Sequence, residues 1–103
     1  MVHISVDTRN GKILALKATG HAESAPYGQD LVCAGVSVVM IGLCNALDEM
    51  KTDARLSVRN NLISIETDGL DETAQVILKT GLIQLETVQE TQKRFIEIKK
   101  TEV

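Results

Sequence analysis

Aromatic side chains are nearly missing: Tyr27 and Phe95 are the only two, and there is no tryptophan. A core must therefore come from Val, Ile, Leu, Ala and Met. The same shortage removes any platform on which bases could stack. No basic stripe stands in for it, because 14 acidic residues outnumber 11 basic ones and the formal charge is −3. Direct nucleic-acid binding is disfavoured. Cysteine is scarce as well: Cys33 and Cys44 do not make a disulfide framework. No basic-then-apolar leader opens the chain. Together these point to the cytoplasm and reduced thiols. The longest apolar run, residues 31–47, is 17 residues between Asp30 and Asp48. That is short of the roughly 20 needed to span a bilayer, so it reads as a buried helix and no membrane association is expected.

Apolar residues make up 44% of the 103. That composition suits one globular domain over residues 1–103 with a modest core. Residues 2–8 alternate Val2, Ile4 and Val6 with His3, Ser5 and Asp7, the period of a half-buried strand. Asn10-Gly11 then signals a hairpin, and residues 12–20 read as the return strand. Pro26 and Gly28 argue against regular structure over 22–29. Asp30 reads as a helix N-cap, with Leu31 the first helical residue and the helix running to about Met50. Gly35 and Gly42 lie on one face of it, at a cost of about 1 kcal/mol each against alanine. Close approach of another backbone or a ligand would explain them.

Residues 54–58 and 62–67 alternate on either side of Asn60-Asn61, a second hairpin. A second helix, capped near Asp68 or Asp71, is amphipathic through Leu70, Ala74, Ile77, Leu78, Leu82, Leu85 and Val88. Gly81 interrupts it. Residues 94–100 form a last strand. The expected fold is α+β in ββαββαβ order. A mainly antiparallel sheet would pack with a buried central helix and the second amphipathic helix.

The chemistry gathers in residues 20–37. A cysteine nucleophile needs thiolate character, a base and access. With Asp30 as cap, Cys33 is the third helical residue, close to unpaired backbone donors and the positive end of the helix dipole. His21, at the strand end, can fold back over that helix start and titrates near neutral pH, as a base and acid must. Ser37 lies one turn beyond Cys33 on the same face. Asp30 can orient His21 or cap the helix, and loop 22–29 can act as a lid hinged near Gly28.

Other readings stand beside these. Cys33 and Cys44 suit core packing, His21 suits a surface loop, and Ser37 suits a back-bond to its own turn. His3 reads as an exposed residue of an edge-like strand. Cys44 is about 16 Å along the helix from Cys33, too far to bridge. Zinc lacks the usual paired-cysteine spacing, so no metal or other cofactor is expected. A redox sensor at Cys33 has no resolving cysteine in reach.

Gly20-His21-Ala22, Gly28-Gln29-Asp30, Leu31-Val32 and Cys33-Ala34-Gly35-Val36-Ser37 together resemble the ribosomal-processing cysteine proteases of the Prp family. The family pattern is a GHA box, a short loop, then G-x-D, two hydrophobic residues and CAxxS. The length, the element order and the helix end containing Asn45 also fit. The resemblance implies that His21 and Cys33 are catalytic. It implies support for catalysis or substrate binding from Asp30, Ser37 and Gly28. It implies a substrate, a large-subunit ribosomal protein (number twenty-seven) made with an N-terminal extension and cut after an apolar stretch ending in phenylalanine. It also implies a homodimer. The competing reading from another class is a non-enzymatic, ribosome-associated peptide-binding module.

Overall fold

Val2, Ile4 and Val6 are buried while His3 and Ser5 are exposed, as alternation in a half-buried strand requires. The computed structural model describes residues 1–20 and 29–103, the side chains of residues 29 and 30 excepted. Five strands and two helices follow one another as β1 (Val2–Arg9), β2 (Lys12–Thr19), α1 (Gln29–Glu49), β3 (Arg55–Arg59), β4 (Leu62–Glu66), α2 (Glu72–Thr91) and β5 (Ile96–Glu102). The ββαββαβ order is the expected one.

Both hairpins form where the asparagines are. Asn10 and Gly11 adopt φ of 52° and 78°, and Asn60 adopts 50°. These left-handed values suit the twist of a tight hairpin. The sheet order is β3-β4-β2-β1-β5. Three neighbouring pairs are antiparallel, and β1 and β5 run parallel. The sheet is therefore mainly antiparallel, with one crossover pair. That pair corrects the reading of His3. It lies in an interior strand, and its Nδ1 is 3.2 Å from the Glu97 carboxylate on β5.

One helix stripe closes the core. Val32, Cys33, Val36, Met40, Leu43, Cys44 and Leu47 recur every three or four residues along α1, and all are buried. They meet Leu16, Ile63 and Ile65 of the sheet and Leu78 and Leu85 of α2 in one cluster. Each such aliphatic side chain, fully buried, contributes about 1.5–3 kcal/mol. Residues Leu31–Glu49 are long and apolar enough to cross a membrane, yet the inner stripe is spent on this packing. Leu31 and Val38, on the outside, stay exposed.

The helix α1 begins two residues before the expected first residue. Asp30 is the second helical residue rather than the cap, and Cys33 is the fifth. A helix start depends on the conformation of the residue before it, which side-chain preference alone does not determine. At the other end, Lys51 takes φ 54° and its N–H donates to the Asp48 carbonyl. The Thr52 N–H donates to that of Leu47, completing a Schellman stop. The helix α2 is capped by Asp71, whose carboxylate accepts from the N–H groups of Thr73 and Ala74 at 3.0 and 3.2 Å. Leu70 lies before this helix and is exposed.

The glycines divide. The helix α2 runs straight through Gly81, because a methyl there would press on Leu43 of α1, with Cγ at 2.9 Å. A methyl at Gly35 or Gly42 would meet nothing within 4 Å among the described residues. Close packing of α1 against α2 thus uses Gly81, and the expectation for Gly35 and Gly42 finds no partner among the described residues.

A β-bulge fastens the sheet to α2 far from the start of α1. The β1–β2 register passes from Asp7–Ala15 to Thr8–Ile13, leaving Leu14 unopposed. Buried Gln75 meets Ile13 with both ends of its amide, Nε2 donating to the carbonyl at 2.8 Å and Oε1 accepting the N–H at 2.8 Å. The Thr67 hydroxyl donates to the same carbonyl at 2.9 Å.

Candidate active site

The sheet's opposite end carries the cysteine. Strand β2 stops at Thr19, and Gly20 turns the chain with φ 82°. L side chains rarely adopt that angle. A methyl at Gly20 would also run into the Met1 carbonyl oxygen, with the Met1 carbonyl carbon at 3.3 Å and Val2 Cα at 3.4 Å. Two independent constraints thus require glycine at the residue before His21.

The Gly20 carbonyl accepts a hydrogen bond from the Cys33 thiol, Sγ to O 3.6 Å. Helical side chains lean toward the N-terminus, which carries this sulfur back over the first turn of α1. Only a protonated thiol can donate to a carbonyl. A thiol so placed becomes a nucleophile only once a base takes its proton. Cys33 is buried, 5% exposed, with its backbone on the core stripe.

Ser37 is half-buried one turn on and lines a shallow depression with Val38, Ile41, Gly42 and Asn45. Asp30 is placed by its backbone in the first turn of α1. His21, Gly28 and the loop expected to act as a lid lie outside the described residues. Cys44, eleven residues along the helix, is also buried, and burial pushes its thiol pKa up. Neither cysteine is in a disulfide. Among the described residues no three His, Cys, Asp or Glu side chains gather at metal-binding distance.

Sequence reasoning singled out the cysteine but not the Gly20 carbonyl beside it. Gly20 acts through a backbone carbonyl, which no side-chain pattern announces. The available signal was a glycine at a strand end directly before a histidine.

A family model described as Cysteine protease Prp matches residues 1–97. The ribosomal processing cysteine protease Prp of Staphylococcus aureus (strain Mu50 / ATCC 700699) is 36% identical over 84 residues, 78% of this chain and 79% of that protein. The crystal structure of the essential S. aureus protease Prp with a substrate peptide matches with TM-score 0.87 and 28% identity. It covers 98% of this chain and 100% of that one. The structure of the same protease with a covalently linked product peptide matches with TM-score 0.83 and 30% identity, at 98% and 100% coverage.

Proposed function

The chain belongs to the cysteine protease Prp family and is a cysteine protease, and from that premise we propose that it removes the N-terminal extension of large-subunit ribosomal protein number twenty-seven. It does so as one domain spanning residues 1–103, in the cytoplasm. The observation that carries this reading is the Cys33 thiol held 3.6 Å from the carbonyl of Gly20, the residue directly before His21.

Acyl transfer follows from those groups. His21 takes the Cys33 proton, and the freed sulfur bonds to the scissile carbonyl carbon. The oxygen that gains charge is met by backbone N–H groups at the start of α1, where the first turn leaves donors unpaired. The carbon–nitrogen bond breaks as His21 returns the proton to the leaving amine. Water then enters, His21 takes one of its protons, and its oxygen displaces the sulfur. The product acid leaves and the thiol is restored. Asp30 orients His21. Ser37, on the α1 face beyond Cys33, contacts substrate, and Gly28 lets the chain before α1 turn. The S. aureus relative has been captured with a covalently linked product peptide, which supports a covalent step here.

The protein works as a homodimer. The outer face of α1 exposes Leu31, Val38 and Ile41. A groove of about 430 Å³ beside it runs between Val38, Gly42 and Ala46 of α1 and Val76, Thr80 and Gln84 of α2. Small residues flanked by apolar ones fit a second copy of the same face.

The test is a peptide spanning the extension and the start of the mature ribosomal protein, read by mass spectrometry. Wild type and Cys44→Ala should cut one bond, and Cys33→Ala and His21→Ala should not. Binding without cleavage by wild type would instead establish the peptide-binding module. Sedimentation of wild type against Val38→Glu tests the dimer.

A further inference from the structure

The strand β3 is an edge of the sheet, and all five of its residues are exposed. Its register pairs Leu56 with Ile65 and Val58 with Ile63. Ile63 and Ile65 are 1% and 0% exposed beneath the helices, whereas Leu56 and Val58, on the same face, are 38% and 58% exposed. The apolar face of the sheet therefore continues one strand past its helical cover.

The backbone adds a second feature. Arg59 and Leu62 close the β3–β4 hairpin. The closing pair of a two-residue hairpin exchanges both hydrogen bonds, and the pattern alternates from there. Arg59, Ser57 and Arg55 thus bond toward β4, and the N–H and C=O of Leu56 and Val58 point away from the sheet. The opposite edge, β5, carries Glu97, Lys99, Lys100 and Glu102, with Lys100 held by Glu86 at 2.7 Å. That is a charge-protected edge. β3 has no charge between its two terminal arginines.

The edge leads to the candidate active site. Arg59 pairs with Leu62, and Leu62 with Thr19, the residue before Gly20. A strand added beyond β3 would lie three strand spacings from β2, roughly 14 Å. About four residues of extended chain cover that distance. A peptide with its scissile bond at Cys33 can therefore reach β3.

We propose that the free edge of β3 binds an extended, apolar segment of the substrate as an added strand, about four residues from the scissile bond. Leu56 and Val58 supply both the outward backbone groups and the apolar surface for alternate side chains. This rests on the protease reading above. A second copy is a poorer occupant. Antiparallel self-pairing centred on Ser57 sets Arg55 against the partner copy's Arg59, and like charges directly opposite destabilise a pair.

The test measures kcat and KM on a long peptide and on peptides cut to within three residues of the scissile bond on either side. Val58→Pro removes only an outward N–H, which an edge strand tolerates, and Val58→Asp alters only the side chain. Each should raise KM on the long peptide about tenfold, the worth of one lost hydrogen bond or apolar contact, with kcat kept. Truncation on one side should raise the wild-type KM and erase the difference between variant and wild type. Hydrogen exchange on Cys33→Ala should show the Leu56 and Val58 amides protected by the long peptide alone. Unchanged KM in both variants, equal losses on long and short peptides, or no added protection would overturn the proposal. So would a change of oligomeric state in the variants by sedimentation. A wild type that cleaves no peptide would sink the protease reading instead, a separate result.

Discussion

Replacing Gly20 with alanine tests how the end of β2 is built. The residue holds φ 82°, and a methyl on it would meet the Met1 carbonyl, with Val2 Cα at 3.4 Å. Left-handed backbone costs an L residue about 1–2 kcal/mol. Relief of the contact requires Met1 and Val2 to move. Val2 is fully buried, and its N–H donates to the Phe95 carbonyl at 2.8 Å. Overpacking of that kind costs about 1–3 kcal/mol. The sum, roughly 2–5 kcal/mol, is a large share of the about 5–15 kcal/mol that holds a small domain folded.

Gly11→Ala is the internal control. Gly11 has φ 78°, but a methyl there would meet nothing within 4 Å among the described residues, so it isolates the backbone cost. Thermal unfolding by circular dichroism should give a Tm loss of at least about 8 °C for Gly20→Ala, at roughly 4–8 °C per kcal/mol. Gly11→Ala should lose less, and the difference measures the contact. Cys33 alkylation should also change in Gly20→Ala, because the carbonyl that holds the thiol is displaced. A Tm within about 2 °C of wild type, or equal losses at the two glycines, would refute the close approach of β1 to Gly20.

Gln75→Leu should cost about 2–4 kcal/mol, because it strands the N–H of Ile13 in the core and takes one of two donors from its carbonyl. Urea unfolding measures it, and a loss under about 1 kcal/mol would contradict the pinning role. Gly81→Ala should destabilise by about 1 kcal/mol or more through Leu43, while Gly42→Ala should gain up to about 1 kcal/mol in dilute solution, since its Cβ meets nothing. Paired Tm values of the same sign would undo that contrast. Burial raises the folded-state pKa of Cys44, so its contribution to stability is complete below the unfolded thiol pKa of about 8.5 and is lost as pH rises above it. Wild type should therefore lose Tm faster than Cys44→Ala between about pH 8 and 10, and parallel curves would contradict the burial argument.

Much of the fold was legible because it is written in side-chain period. Val2, Ile4 and Val6 announce a strand, and Asn10-Gly11 announces its turn. What the period omits is which strand lies beside which. Nothing in Ile96 or Ile98 says that β5 runs parallel to β1, so His3 looked like an edge residue until the crossover placed Glu97 beside it. The glycines were ambiguous for a related reason. Gly35, Gly42 and Gly81 have the same local chemistry. Only the crossing of α1 and α2 decides that Leu43 fills the space over Gly81 and that nothing described fills it over the other two.

The site follows the same logic with a different result. Cys33 and His21 carry reactive side chains, so sequence alone could nominate them. The groups around Cys33 that no side chain announces are backbone: the Gly20 carbonyl that accepts a hydrogen bond from its thiol, and the first-turn N–H groups of α1. Backbone groups have no identity in sequence and are fixed only by fold. Here the fold fixes them by dividing labour between the ends of the sheet. The buried pins, Gln75 and Thr67 on Ile13, together with the Asp71 cap, lie at the end away from Cys33. They lock α2 and the β1–β2 hairpin without touching Cys33. At the Cys33 end the described fastenings are the close approach of Gly20 to Met1 and Val2, the Val2 N–H on the Phe95 carbonyl and the Cys33 thiol on the Gly20 carbonyl. A substitution at the far end should therefore change stability with little effect on Cys33 chemistry, whereas one at Gly20 should change both. Comparing Gln75→Leu with Gly20→Ala for Tm and for Cys33 alkylation decides it, and equal effects on alkylation per degree of Tm lost would show that the two ends are not separable.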